Sequence, residues 1–331
     1  MNEQTKIRVQ QNKPRAGLFR RYLFSVSATM LILLSAYVGS LAVLARAGVL
    51  PPPPLVNELC ADRKLQWLRN NMPARPDLLV VGSSIAWRDV DSAEFVAHDP
   101  RARPVNGGMC HAEVNQSGFV TKFLLDHMPS VETVVLVLVP QDFTDCTKTP
   151  ARLFSPAVAT RYVFGHDWSY GFYLNRFAPV ALVHNVREIH RLQDGVDRFD
   201  SMKMTRYGDG PLRITGNRGL MYGTVGGRDP ACVAALHTLA ISVAAKGRRL
   251  FVAMAPLNPD WVKQYDPSGA RRANLLAAIH NALAGTGANF WNGTAAFKGT
   301  PNDFTDAIHI NWPAAKRYSA LMAKALDPDP S

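Results

Sequence analysis

Four short motifs hold the residues best suited to chemistry. Gly82-Ser83-Ser84 places hydroxyls directly after the apolar run 78–81. Asn106-Gly107-Gly108 follows a weaker run and offers backbone N–H donors. Pro140-Gln141-Asp142 closes the apolar run 134–139 and offers a side-chain amide. Asp306-Ala307-Ile308-His309 sets a carboxylate three residues before an imidazole. A hydroxyl, a base, a carboxylate to orient the base and donors for an oxyanion are the parts of a serine acyl-transfer site. Each part alone is weak. Gly-Ser-Ser equally makes a helix cap, Asn-Gly-Gly a turn, Gln-Asp a loop and Asp-x-x-His a surface pair. Their order, and their placement after successive strands, makes the combination stronger than any member.

The elements that must position these residues read as alternating strands and helices. Strands are expected at 78–81, 104–106, 134–139, 250–255 and 289–291. The longer runs are apolar throughout, as in strands covered on both faces. Asp229 is a good N-cap, Pro230 suits the first helical position and Gly247 suits the C-terminal cap, so a helix should fill the interval. Further amphipathic helices are expected around 119–124, over 270–283 and over 313–326. This alternation predicts a mostly parallel sheet with helices on both faces. Ligands bind such sheets at the carboxyl ends of the strands, where the motifs lie. Residues 143–228 form an insertion with one helical pattern near 173–192. Its length fits a lid or substrate-facing subdomain, or a structural embellishment.

The combination resembles the SGNH (GDSL-type) hydrolase superfamily over 76–142 and 248–326, outside the insertion. That resemblance implies a flavodoxin-like three-layer α/β/α fold. It implies Ser84 as nucleophile, with Ser83 in the place of the usual Asp. His309 would be the general base and Asp306 would orient it. The N–H groups of Ser84 and Gly108 would be oxyanion donors. The third block departs: the family has Gly-x-Asn-Asp where this chain has Val139-Pro140-Gln141-Asp142, so Gln141 would supply the amide from a longer side chain. A position at a helix N-terminus would further favour charge developing at Ser84. The family's chemistry implies no cofactor and no metal.

The N-terminus carries a separate signal. Residues 22–45 contain no charge over 24 positions, which at about 1.5 Å per residue spans about 36 Å, enough to cross a bilayer. Residues 1–21 carry net +5 of the chain's +11. The positive flank predicts a cytoplasmic N-terminus and an exported domain, making a single-pass inner-membrane protein with its catalytic part in the periplasm. Ala45-Arg46-Ala47 also has the look of a signal-peptidase site, but the apolar run exceeds the usual 7–15 residues of a cleaved signal. The expected organisation is a basic tail (1–21), an anchor (22–46), a proline-containing lead-in (47–75) and the SGNH-like domain (76–331). The basic excess has no aromatic-interleaved stripe, which argues against nucleic acid as a partner.

Four cysteines, Cys60, Cys110, Cys146 and Cys232, lie in the exported part. They allow two disulfides in three connectivities, or free buried thiols. The lack of a C-x-x-C spacing argues against zinc.

Gly-Ser-Ser with an N-terminal anchor is similar to the membrane-anchored branch of the superfamily that helps acylate cell-envelope polymers. That likeness implies acyl transfer on an envelope glycopolymer, an acylated glycan as partner and a multi-pass membrane acyltransferase beside it. A simple anchored carbohydrate esterase or deacetylase, and a catalytically degenerate glycan-binding scaffold, are the alternatives.

Overall fold

The computed structural model describes residues 16–193, 202–212, 218–223 and 225–327. The start of the basic tail and parts of the insertion lie outside them. The chain divides into two compact units, 1–50 and 51–331. In the first unit, α1 (Ala16–Arg46) is one continuous helix with mean hydropathy 2.1 in its most apolar window. By length and composition it can cross a membrane, as an anchor or as a signal sequence.

In the second unit five parallel strands form one sheet in the order β2-β1-β3-β4-β5. They are β1 (Leu78–Gly82), β2 (Pro104–Asn106), β3 (Thr133–Leu138), β4 (Arg249–Met254) and β5 (Asn289–Trp291). All five expected strands are present within a residue or so of their expected bounds. The helices are α2 (Leu59–Asn71), α3 (Ser84–Arg88), α4 (Ala93–His98), α5 (Val114–His127), α6 (Pro156–Val163), α7 (Ser169–Asn175), α8 (Pro179–Gln193), α9 (Pro230–Ala245), α10 (Pro259–Tyr265), α11 (Ala270–Leu283), α12 (Gly293–Ala296) and α13 (Trp312–Leu326).

Side chains alternate across the sheet with a period of two and divide the core. Leu79, Val81, Val134, Leu136, Leu138, Leu250 and Val252 meet α2, α5, α9 and α11 on one face. Val80, Val135, Val137, Val139, Phe251 and Ala253 meet α4 and α13 on the other. The fold is therefore a three-layer α/β/α sandwich. Each wholly buried Val or Leu of β3 contributes about 1.5–3 kcal/mol relative to exposure.

Helix ends follow the caps. Asp229 accepts from the Ala231 N–H at 2.9 Å and Gly247 takes φ 68° just past α9. Asn311 accepts from the Ala314 N–H at 3.1 Å to start α13. The single helical stretch expected over 173–192 is corrected: the structure has α7 and α8 with a break between them. Pro179 explains it, because proline disfavours helix in the residue before it and suits the first position of a new helix.

The cysteines pair as Cys60–Cys110 and Cys146–Cys232, which resolves the three connectivities. The first bond ties the start of α2 to the loop after β2. The second ties the segment after β3 to α9. Disulfides fit an oxidising compartment.

Candidate active site

The turn after β1 is built by Gly82. Its φ is 142°, and a Cβ there would sit 2.3 Å from the Val137 carbonyl oxygen of β3. Only glycine allows the chain to leave the strand so close to its neighbour. Ser83 then caps α3, its Oγ accepting from the Ile85 N–H at 3.4 Å. Ser84 is the first residue of α3, so its N–H has no acceptor within the helix. With α3 only five residues long, the expected helix-dipole contribution reduces to these leading N–H groups.

On the opposite side, the loop before α13 is closed by antiparallel pairing of Phe304 with Ile310 and by the Thr305 N–H bonding the His309 carbonyl at 2.9 Å. Asp306 Oδ1 accepts from the N–H groups of Ile308 and His309 at 3.0 and 2.9 Å. Asn258, beyond β4, donates from its side chain to the Asp306 carbonyl at 3.1 Å.

These two loops, 225 residues apart in sequence, bring Ser84 Oγ within 2.9 Å of His309 Nε2. His309 Nδ1 lies 3.0 and 2.9 Å from the two Asp306 carboxylate oxygens. A proton on Nδ1 shared with Asp306 leaves the Nε2 lone pair facing Ser84, the tautomer a general base needs. Burial pushes the Asp306 carboxyl up, but the His309 charge and the hydrogen bonds outweigh it and hold the group below its usual value.

A second carboxyl lies behind the first. Asp89 is fully buried, and its Oδ1 accepts from the Ile310 N–H at 3.2 Å. Burial first, and then the like charge of Asp306, push it well above the usual carboxylate range. No motif marks Asp89 beyond its place just past α3.

The two expected side-loop oxyanion donors, Gly108 and Gln141, sit differently. The Gly108 N–H is bonded to Asn106 Oδ1 at 2.9 Å, and Gly108 does not line the cavity around Ser84. A Cβ at Gly108 would lie 2.7 Å from the Trp87 amide nitrogen. This glycine is required for packing of the loop on α3, and its N–H is already committed. Gln141 does line the cavity with Ser84. Its Nε2 donates to the Tyr222 carbonyl at 3.2 Å, and its buried Oε1 has no hydrogen-bond partner among the described residues. The amide is thus at the site but tied by one bond to the insertion.

The cavity, about 610 Å³, also takes residues that the motifs did not name. Arg88 lies one helical turn after Ser84, the spacing that shares a face, and that spacing was a readable signal. Its guanidinium stacks on the Trp87 ring at 3.7 Å, and burial together with the nearby Arg218 pushes it down to about 9. The Tyr222 ring stands edge-on to His309 at 5.7 Å. Across the cavity, His111 Nδ1 meets Glu58 Oε1 at 3.0 Å, and α8 contributes His184, Asn185 and Glu188. Arg218, Tyr222 and the α8 residues come from the insertion, where the helical pattern near 173–192 places α8 but no motif singles out its cavity-lining side chains.

Two groups of potential metal-binding side chains occur among the described residues, Glu58 with Cys60 and Cys110, and Glu113 with Cys146 and Cys232. Each includes a disulfide, so its sulfurs are not thiolates.

Asp142 sits beneath Ser83 and is buried. Burial pushes it up to about 8, against the opposing hydrogen bonds from the Val139 N–H and Ser83. Because the folded-state value is raised, the stabilisation is complete below the unfolded value, about 4, and is lost as pH rises towards 8. Asp142→Asn removes this dependence. Relative to the variant, wild type should lose on the order of 3 kcal/mol between pH 5 and pH 8. Urea midpoints of both proteins at the two pH values check this; parallel midpoints would show that Asp142 ionises freely.

The sequence matches no protein-family model and no curated protein. Among solved structures it is similar to Est24, a carbohydrate acetylesterase from Sinorhizobium meliloti, with 10% identity and a TM-score of 0.40 over 76% of this chain and 99% of that one. It is similar to an inhibitor-bound aryl esterase of M. smegmatis, with 11% identity and a TM-score of 0.39 over 76% of this chain and 99% of that one. At this distance the reading of the site rests on the geometry of Ser84, His309 and Asp306.

Proposed function

We propose that this chain is a serine-dependent acyl-transfer enzyme acting on an extracytoplasmic glycan or envelope glycopolymer, as an O-acyltransferase or its accessory esterase. The observation that carries the reading is the 2.9 Å approach of Ser84 Oγ to His309 Nε2, with Asp306 behind the ring at 2.9 Å. In this mechanism His309 takes the Ser84 proton while Oγ bonds to an ester carbonyl carbon. The tetrahedral oxyanion is met by the Ser84 N–H and the Gln141 amide. The intermediate collapses, the C–O bond to the leaving alcohol breaks and His309 protonates that alcohol. A water or a sugar hydroxyl then gives its proton to His309 and attacks acyl-Ser84, which regenerates the serine. Arg88 and Arg218 border this centre, and Glu58, His111, Asn185 and Glu188 face it with groups suited to sugar hydroxyls. An N-terminal anchor and two disulfides support action outside the cytoplasm.

The direct test is to incubate the full chain with a short-chain acyl ester, with and without an acceptor glycan. Trapped acyl-Ser84 should be seen by mass spectrometry. Acylated glycan appearing in step with ester loss marks transfer, and free acid alone marks hydrolysis. No acyl-enzyme and no ester loss would leave a binding or scaffold role.

Gln141→Ala tests the altered third block. As an oxyanion donor its loss should lower kcat by about 10²-fold with little change in KM. A change confined to KM would place Gln141 in substrate binding instead.

A further inference from the structure

The second unit has an apolar face that the catalytic reading does not use. Beyond residue 50, four large apolar side chains with substantial exposure fall in the short stretch 168–183: Trp168 at 62%, Phe177 at 64%, Val180 at 83% and Val183 at 51%. Val180 and Val183 are three residues apart on α8 and share a face. The exposed arginines Arg176 and Arg187 flank them. Exposed apolar groups beside arginines, with a tryptophan among them, are the composition of an interfacial surface.

Hydrogen bonds hold α7 to the lead-in that follows α1 in the chain. The Tyr173 hydroxyl donates to the Pro51 carbonyl, and Arg176 Nη1 donates to the carbonyls of Pro54 and Leu55 at 3.2 and 2.9 Å. α7 is thus bound to residues 51–55. Only residues 47–50 separate Pro51 from Arg46, the last residue of α1. At no more than about 3.6 Å per residue, Pro51 lies within about 18 Å of that helix end whatever the orientation.

We infer that the exposed face of α7 and α8 docks on the bilayer that carries α1, with Trp168, Val180 and Val183 at the acyl–headgroup boundary and the arginines on anionic headgroups. This rests on α1 being retained as a membrane anchor. Anionic lipid is the matching partner, since a basic residue near such a surface gains about 1 kcal/mol. The docking has a consequence for substrate. His184, Asn185 and Glu188 of the same α8 line the catalytic cavity. A helix that rests on lipid while walling the cavity holds the cavity beside the membrane surface. The substrate class is then an acyl donor or acceptor delivered there, such as a lipid-linked glycan.

Tryptophan fluorescence reads the contact directly. Of the six tryptophans, Trp168 is the exposed one. The full chain is placed in nanodiscs of phosphatidylcholine and phosphatidylglycerol, with plain or shallow-brominated acyl chains. Bromination should lower wild-type emission by up to the share of one tryptophan in six, and Trp168→Phe should abolish that drop. Val180→Asp with Val183→Asp should reduce it while Trp168 is kept. Equal emission in both lipids, with the protein still eluting with the discs, overturns the docking and leaves the anchor standing. That outcome turns the face towards solvent, a second copy or a protein partner. A chain that does not stay with the discs overturns the anchor reading and the docking with it.

Discussion

Ser84→Ala is expected to reduce ester turnover by about 10⁴-fold or more and to abolish the acyl-enzyme, while leaving the fold intact. The hydroxyl lost is the one 2.9 Å from His309 Nε2, and the half-buried position accepts alanine without a clash. His309→Ala should cost a similar factor. The double variant should be little worse than either single one, because nucleophile and base act as a unit. Asp306→Asn separates orientation from proton transfer. The asparagine can present an N–H to Nδ1, which favours the tautomer with its proton on Nε2, facing Ser84. A drop of about 10⁴-fold in kcat is expected. These rates are read from steady-state hydrolysis of a short acyl ester, with circular dichroism to confirm folding. Wild-type turnover surviving in Ser84→Ala would remove the triad from the mechanism and with it the proposed function.

Loss of the Cys146–Cys232 bond is expected to be the largest change among the stability predictions. The bond closes a loop of 86 residues, for which the chain-entropy account gives about 4.5 kcal/mol. The paired Cys146→Ala and Cys232→Ala variant should unfold at a markedly lower urea concentration than wild type. Activity should suffer as well. Cys232 lies by Glu113, whose carboxylate accepts from the Thr144 N–H at 3.3 Å and which lines the cavity around Ser84. Unfolding curves of wild type, variant and reduced wild type check this. An unchanged midpoint in the variant would mean that the enclosed loop is already constrained without the bond.

The framework was largely legible because its signals are local. Apolar runs on both faces of a parallel sheet give unbroken stretches of Val and Leu, and β1, β3 and β4 follow them closely. Caps such as Asp229 and Asn311 work through bonds to residues two or three positions away, so their meaning is visible in sequence. The break between α7 and α8 was missed, although Pro179 marks it, because the apolar pattern continues through the break.

The site was legible in part. Ser84, Asp306 and His309 follow directly after sheet elements or within one tight loop, so spacing and order pointed to them. For Gly108 the motif shows only that an N–H exists. Whether that N–H is available depends on the Asn106 side chain, which turns back to take it. Asp89 was invisible for a related reason: its raised pKa comes from burial beside Asp306, more than two hundred residues away.

Sequence alone therefore determined the layered α/β plan and the apolar N-terminal helix, and it singled out Ser84, Asp306 and His309, since each is written in short-range pattern. Tertiary structure decided the distances among Ser84, His309 and Asp306, the pairing of the four cysteines and the insertion's share of the cavity wall. These depend on contacts between segments far apart in the chain, and only the folded sheet and its loops set them.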